Sequence, residues 1–187
     1  MAVFQKPEHA IECSKAIFSA IADKNFANKK LPNMKVGISI NTSEVAFGVV
    51  GEENRKSLTI LSDGVSLAGK MQDVNKFFGT YVVFSKRTLN ALPYGYLINY
   101  RYVGSIKNEQ PNENFHVFEN LDVYLRMKRE KLLLTKNAFE KAVRQYDAGD
   151  YYDAKTKFEA ILKRNKDDKV SYVYFNLCDE KMKLEKV

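Results

Sequence analysis

Apolar and polar residues alternate in two ways along this chain, and the change between them divides it. From His9 to Ala22 the apolar set Ala10, Ile11, Cys13, Ala16, Ile17, Ala20 and Ile21 recurs every three or four residues, which predicts an amphipathic helix opened by Pro7-Glu8. Val36, Ile38 and Ile40 then alternate with Gly37, Ser39 and Asn41, the period of a strand with one face on a core. A tight link, Thr42-Ser43-Glu44, leads to a second strand, Val45–Val50, and the pair reads as a hairpin. Gly48 and Gly51 suggest a bulge or close backbone approach, Gly51–Arg55 a loop, and Ser57–Leu61 the next strand. After Ser62-Asp63-Gly64 the helical period returns through Leu67, Ala68, Met71, Val74 and Phe78.

Thr80–Phe84 is a continuous apolar run and reads as a central strand, and Ser85 caps a brief helix, Lys86–Leu92. Tyr96–Val103 and Phe115–Phe118 are strands of β-branched and aromatic residues on either side of a polar loop, Lys107–Asn114. The polar run Asp23–Asn33 is a connection. From Leu121 onward the helical period takes over: Leu125–Leu134 and Lys136–Ala148 as two segments, then Tyr151–Arg164 and Lys169–Lys183. The fold class is therefore α/β (α+β), a mixed or antiparallel sheet with flanking helices over residues 1–120 and an all-helical tail over 121–187.

Composition narrows the function classes. The chain has 187 residues, a hydrophobic fraction of 45% and a formal charge of +7. Lysines mixed with acids along the helices, as in Lys163-Arg-Asn-Lys-Asp-Asp-Lys169, mark solvated helix faces, so nucleic acid is not expected as a partner. The same charge sign favours an anionic small ligand such as a nucleotide. No run approaches the roughly 20 apolar residues of a membrane span, and the start lacks a secretory pattern, so a cytoplasmic setting is expected. Cys13 and Cys178 lie far apart in amphipathic helices and read as buried free thiols. His9 and His116 have no paired metal-ligand spacing, and there is no Walker loop or triad candidate.

The stretch from Lys35 to Met71 carries a resemblance. Gly37-Ile-Ser-Ile-Asn-Thr42, Gly48-Val-Val-Gly51 and Leu58-Thr-Ile-Leu-Ser-Asp-Gly-Val-Ser-Leu-Ala-Gly-Lys-Met71 are similar to successive motifs of class III nucleotidyl cyclase catalytic domains, the adenylate and guanylate cyclase family. Val82–Ser85, Arg101–Gly104 and Phe115–Glu119 follow in the family's order, so the resemblance covers roughly residues 1–120. It implies an active site built between two subunits. There, carboxylates near the domain start hold two metal ions on a nucleoside triphosphate, opposite an asparagine and an arginine from the partner. The family's metal motifs lie upstream of anything corresponding to Met1, so this chain is expected to bind no metal alone, with magnesium or manganese entering only if a partner supplies the carboxylates.

Ser66 stands at the asparagine position and Lys70 at the arginine position. Serine offers no amide, and lysine lacks the planar fork that grips phosphate oxygens. Thr59 stands where the family reads the base, and Asp63 is the second nucleotide-side candidate. The simpler reading of the same residues is an exposed helix face capped by Asp63, with glycines serving turns. The resemblance thus implies a degenerate module in cyclic-nucleotide signalling without turnover alone. Its alternatives are one half of an adenylate cyclase, active only with a metal-bearing partner chain, or a binding scaffold acting through the tail. The residues leave open whether any nucleotide binds.

Ala142, Gly149-Asp-Tyr151, Ala154, Phe158 and Ile161-Leu162 resemble one tetratricopeptide repeat. So short an array should lean on the first domain or on another chain, and it offers a surface for a protein partner. The lost opening strand exposes a sheet edge, which predicts a homodimer or a cyclase-like partner chain.

Overall fold

The computed structural model describes residues 1–27, 34–52, 55–107 and 114–184. Of the connections expected at 23–33, 51–55 and 107–114, residues 28–33, 53–54 and 108–113 lie outside the described residues; the rest are regular structure, 23–27 continuing the first helix and 51–52, 55, 107 and 114 belonging to strands. Helix α1 (Pro7–Ala27) is followed by strands β1 (Ile38–Ile40), β2 (Ala46–Glu52) and β3 (Arg55–Leu61) and helix α2 (Asp63–Phe78). Strand β4 (Val82–Ser85), helix α3 (Lys86–Ala91) and strands β5 (Tyr100–Lys107) and β6 (Asn114–Asn120) complete the sheet region. The last three helices are α4 (Arg126–Asp147), α5 (Tyr151–Arg164) and α6 (Lys169–Leu184). Among the described residues no helix is long and apolar enough to cross a membrane.

Four strands form one mixed sheet in the order β1-β4-β6-β5. Strand β4 is buried at every position, because both faces of the sheet are covered. Val82 and Phe84 meet Ile11 and Phe18 of α1, while Val83, on the opposite face, joins Leu67 and Met71 of α2. The continuous apolar run that marked this segment is the signature of a strand covered on both sides.

One pairing differs from the sequence expectation. Strands β1 and β2 do not form a hairpin: β1 runs parallel to β4, with Ile38 opposite Val82 and Ile40 opposite Phe84. Strand β2 pairs instead with β3, antiparallel from Ala46–Leu61 to Glu52–Arg55, as a separate two-stranded ribbon. The reason lies in the core. Ile38 and Ile40 pack in the cluster beneath α1 that also holds Val82 and Phe84, so burial draws β1 to β4. Asn75, buried within α2, fixes the choice by donating from Nδ2 to the carbonyls of both Ile38 and Tyr81. Its Oδ1 accepts from the Thr80 hydroxyl.

The bulge also falls elsewhere. It lies between Tyr102 and Gly104 of β5, and Gly104 has φ +126°. A Cβ there would meet the Tyr174 hydroxyl at 2.6 Å, so this position needs glycine twice over. The Tyr174 hydroxyl donates to the Val103 carbonyl at 2.9 Å.

The residues expected as two helical segments, 125–134 and 136–148, form the single helix α4. Thr135, between them, is buried and its hydroxyl bonds back to the carbonyls of Lys131 and Leu132, so the break is absorbed within the helix. The three terminal helices pack onto the face of the sheet that carries α2. Phe139, Ala142, Ala154, Phe158, Tyr174 and Cys178 share one cluster with Leu67, Met71, Val83 and Val103. Tyr174 stacks on Phe158 and Phe78, each at 5.1 Å between ring centres.

A buried ionic cluster joins the same layers. Arg101 of β5 donates from Nε to Glu119 of β6 at 2.7 Å and from both terminal nitrogens to Asp168 at 2.7 and 2.9 Å. Asp168 also accepts from the Ser171 hydroxyl at the start of α6, and Glu119 from the Tyr124 hydroxyl. Each of the three charged residues is 1% exposed. Burial pushes the Asp168 carboxyl up, but Arg101 and the Ser171 hydrogen bonds outweigh it and hold the group below its ordinary value. Burial likewise pushes the Arg101 guanidinium down, and the two carboxylates more than offset this.

Candidate functional site

The site begins where β3 turns into α2. Ser62, not Asp63, caps this helix: its Oγ accepts from the Gly64 amide at 3.1 Å. Asp63 is the exposed first helical residue. The Ser62 hydroxyl also donates to the Glu44 carbonyl at 2.6 Å and lies 3.0 Å from the Ser43 hydroxyl. Asn41 Nδ2 donates to the Gly64 carbonyl and Ser39 Oγ to that of Ala68. The end of β1 is thereby laced to the first turns of α2. Gly64 is buried in this seam, and a Cβ there would fall onto the Ser43 hydroxyl.

The lacing bears on anion binding. A helix start holds phosphate through free amides, but here Gly64 N is taken by Ser62 Oγ and Val65 N by the Ser62 carbonyl. Ser66 and Lys70 stand one turn apart on an exposed side of α2. Thr59 is half-buried in β3 opposite Gly48. The helix therefore groups Ser66 with Lys70, while Thr59 sits out on the ribbon.

Beside these residues runs a cleft of about 670 Å3. Its floor is β1, the edge of the sheet. One wall is α1 through Ala10, Cys13 and Ile17, and the other is α2 through Val65, Ala68 and Gln72. The N-terminal residues Met1–Pro7 also line it, as do Val45 and Ile60 at the root of the ribbon. Ser66, Lys70 and Thr59 do not line it. Asn41 does, and its Oδ1 is buried without a hydrogen-bond partner among the described residues. Among those residues no three His, Cys, Asp or Glu side chains converge.

Comparison with known proteins adds to this geometry. No protein-family model matches the chain. A solved bacterial light-regulated adenylyl cyclase superposes with a TM-score of 0.52 over 68% of this chain and 37% of its own, at 16% identity. The fold is cyclase-like. In sequence, the cyclase-like chain is 23% identical over 192 aligned positions to the terminal-differentiation-specific adenylate cyclase of Dictyostelium discoideum. That match covers 98% of this chain and 9% of the relative. Adenylate cyclase 1 of Rhizobium meliloti is 25% identical over 118 positions, covering 62% of this chain and 17% of the relative. The chain thus spans less than a fifth of either relative's length.

Sequence reasoning passed over the buried ionic cluster. Its signal was present: Arg101 interrupts the apolar run Tyr100–Val103, and Glu119 follows Phe118 at the end of a strand. A lone charge inside a strand pattern asks for a buried partner. The partner, Asp168, is 67 residues from Arg101 and had no local mark. Both cysteines are free thiols, and burial pushes that of Cys178 up to about 11.

Proposed function

We propose that this chain is a degenerate cyclase-like module that regulates or assembles cyclic-nucleotide signalling and does not turn over nucleotide alone. The observation that supports this reading is the start of α2. The amides of Gly64 and Val65 are satisfied internally, and the two side chains at the family's transition-state positions are a serine and a lysine on an open helix face. Donors aimed at developing charge contribute about 2.7–4 kcal/mol each to such reactions. Ser66 supplies no amide and Lys70 no fork, so both contributions are impaired. In this reading α4–α6 act as a short helical-repeat surface for a protein partner. Magnesium or manganese would enter only through a partner's carboxylates, and Thr59 and Asp63 are the residues nearest to a base-binding role. The test is incubation of the purified chain with ATP or GTP and manganese. No cyclic product is expected, and cyclic AMP or cyclic GMP above the blank overturns the reading.

The exposed cation of Lys70 favours a second reading, in which the chain is one half of an adenylate cyclase and a metal-bearing chain completes it. Both curated relatives are adenylate cyclases. Activity that arises only on mixing with such a chain and is lost in Lys70→Ala would establish it. Mixing without product eliminates it.

A further inference from the structure

One half-buried cation stands outside the ion pairs of the core. Lys128, in the first turn of α4, has its amine 4.0 Å from the centre of the Tyr124 ring and 5.4 Å from that of Tyr81. The two tyrosine rings lie 4.9 Å apart between centres, and Tyr81 stacks on Phe18 of α1. The amine therefore rests on an aromatic shelf that ties the start of α4 to α1 across the entry of β4. Among the described residues it makes no hydrogen bond and no ion pair. Its neighbours Arg126 and Arg129, by contrast, pair with Glu130 and Asp122.

The surroundings explain why no carboxylate takes it. Lys128 borders a small hollow with Gly79, Tyr124 and Lys169, and the back wall of that hollow is the Arg101–Glu119–Asp168 cluster. Both buried carboxylates are committed elsewhere, Glu119 to Arg101 and the Tyr124 hydroxyl, Asp168 to Arg101 and Ser171. Asp167 stands exposed on the rim. Lys169 lies over Gly79 and is likewise without an acceptor among the described residues. These groups set the electrostatic balance. Burial pushes the Lys128 amine down from its ordinary value and Glu119 draws it back up, while like-charged Lys169 and Arg101 press it down again against Asp168. The net displacement is downward. The ring faces attract the ammonium but accept no proton, so they leave the lone pair of the neutral amine free.

A desolvated lysine beside other cations is an activated nucleophile. We propose that Lys128 is an acylation site that takes its acyl group from a thioester donor. The Nζ lone pair attacks the thioester carbonyl carbon, and the C–N bond forms as the C–S bond breaks. The sulfur leaves as a thiolate, and the proton shed by the amine converts it to the thiol. The product is an uncharged amide, which no longer holds the faces of Tyr124 and Tyr81 as a cation. Acylation thereby loosens the first turn of α4 from α1 and from the entry of β4. Lys131 and Lys141 lie on the exposed side of the same helix and touch no ring among the described residues, so they provide an internal reference.

The experiment is acetylation of the full 187-residue chain by acetyl-coenzyme A without any enzyme, from about pH 7 to 9.5, with the initial rate at each lysine read by peptide mass spectrometry. At the neutral end Lys128 is expected to acetylate several-fold faster than Lys131 and Lys141, although both are more exposed, and its curve of rate against pH should lie at lower pH than theirs. Lys169→Ala removes a like charge, so the Lys128 curve should move up toward that of Lys131. Lys169→Gln, which keeps most of the side chain, should do the same. Lys166→Ala changes an exposed lysine outside the hollow and should leave the curve in place. Circular dichroism verifies that the variants fold. A Lys128 that acetylates no faster than Lys131 overturns the proposal. So does a curve that stays put in both Lys169 variants, or one that moves equally in Lys166→Ala. The readout uses no nucleotide, so it is independent of the reading about turnover.

Discussion

Removing the Asp168 carboxylate tests how the terminal helices are held to the sheet. In Asp168→Ala, Arg101 loses two charge-assisted hydrogen bonds at 2.7 and 2.9 Å, and Ser171 loses its acceptor. Breaking a buried ion pair from one side costs about 3–5 kcal/mol. Glu119 still neutralises Arg101 at 2.7 Å, which places this variant near the lower end, about 3 kcal/mol. Arg101→Leu is more severe, because it strands both Glu119 and Asp168 in the interior and removes the guanidinium packed 4.1 Å from the centre of the Phe139 ring. Its expected cost is about 5 kcal/mol, a large part of the roughly 5–15 kcal/mol that holds an ordinary domain together. The chain has no tryptophan and 11 tyrosines, so urea unfolding is followed by far-ultraviolet circular dichroism and tyrosine fluorescence. For a chain of this size the Asp168 variant should melt roughly 6–12 °C lower. A loss under about 1 kcal/mol for Asp168→Ala, or equal losses for the two variants, would refute the argument that desolvated charge dominates here.

Two further outcomes follow from α2 and from the same ionic cluster. Gly64→Ala places a methyl group on Ser43 and should cost about 1–3 kcal/mol, whereas Gly69→Ala, in the same helix with open space around it, should stabilise by about 0.5–1 kcal/mol; thermal melts that fail to separate the two in sign sink the seam between β1 and α2. The Asp168 carboxyl is held below its ordinary value of 3.8, so its contribution is complete above that pH and fades as pH falls through the depressed value. Stability measured from pH 6 to 2 should therefore fall more steeply in the wild type than in Asp168→Ala at the acid end, and parallel curves would contradict the assignment.

Elements set by local periodicity were legible in the sequence, and those set by distant partners were not. The helical period over Val65–Phe78 and the apolar run over Thr80–Phe84 are legible from spacing alone, because each pattern reports its own covered faces, and the structure sets the bounds at Asp63–Phe78 and Val82–Ser85. The Ser85 cap was equally readable, its Oγ accepting from the Thr88 amide. The pairing of β1 was not. Alternation records which face of a strand is buried, not which neighbour lies at its edge, and the decision rests on Asn75 reaching both Ile38 and Tyr81 from a helix. The helix cap was misplaced by one residue, from Ser62 to Asp63, since both side chains suit that role and only the backbone distinguishes them. At the candidate site, the sequence pointed to Ser66 and Lys70 on one face of α2. It gave no sign that the helix start is closed by Ser62 or that a cleft runs along the other flank.

The 67 residues between Arg101 and Asp168 also set a clock for the newborn chain. At about 5–20 residues per second, the ribosome needs roughly 3–13 s to deliver the carboxylate after the guanidinium has been made. Through that interval the strand bearing Arg101 has Glu119 as its counter-charge at most, and Val83 and Val103 lack the helical layer that covers them in the finished molecule. A polypeptide released before α6 emerges therefore presents a charged, half-roofed sheet. Chaperones and proteases recognise such surface, so the sheet stays exposed to them until α6 has been made and packed.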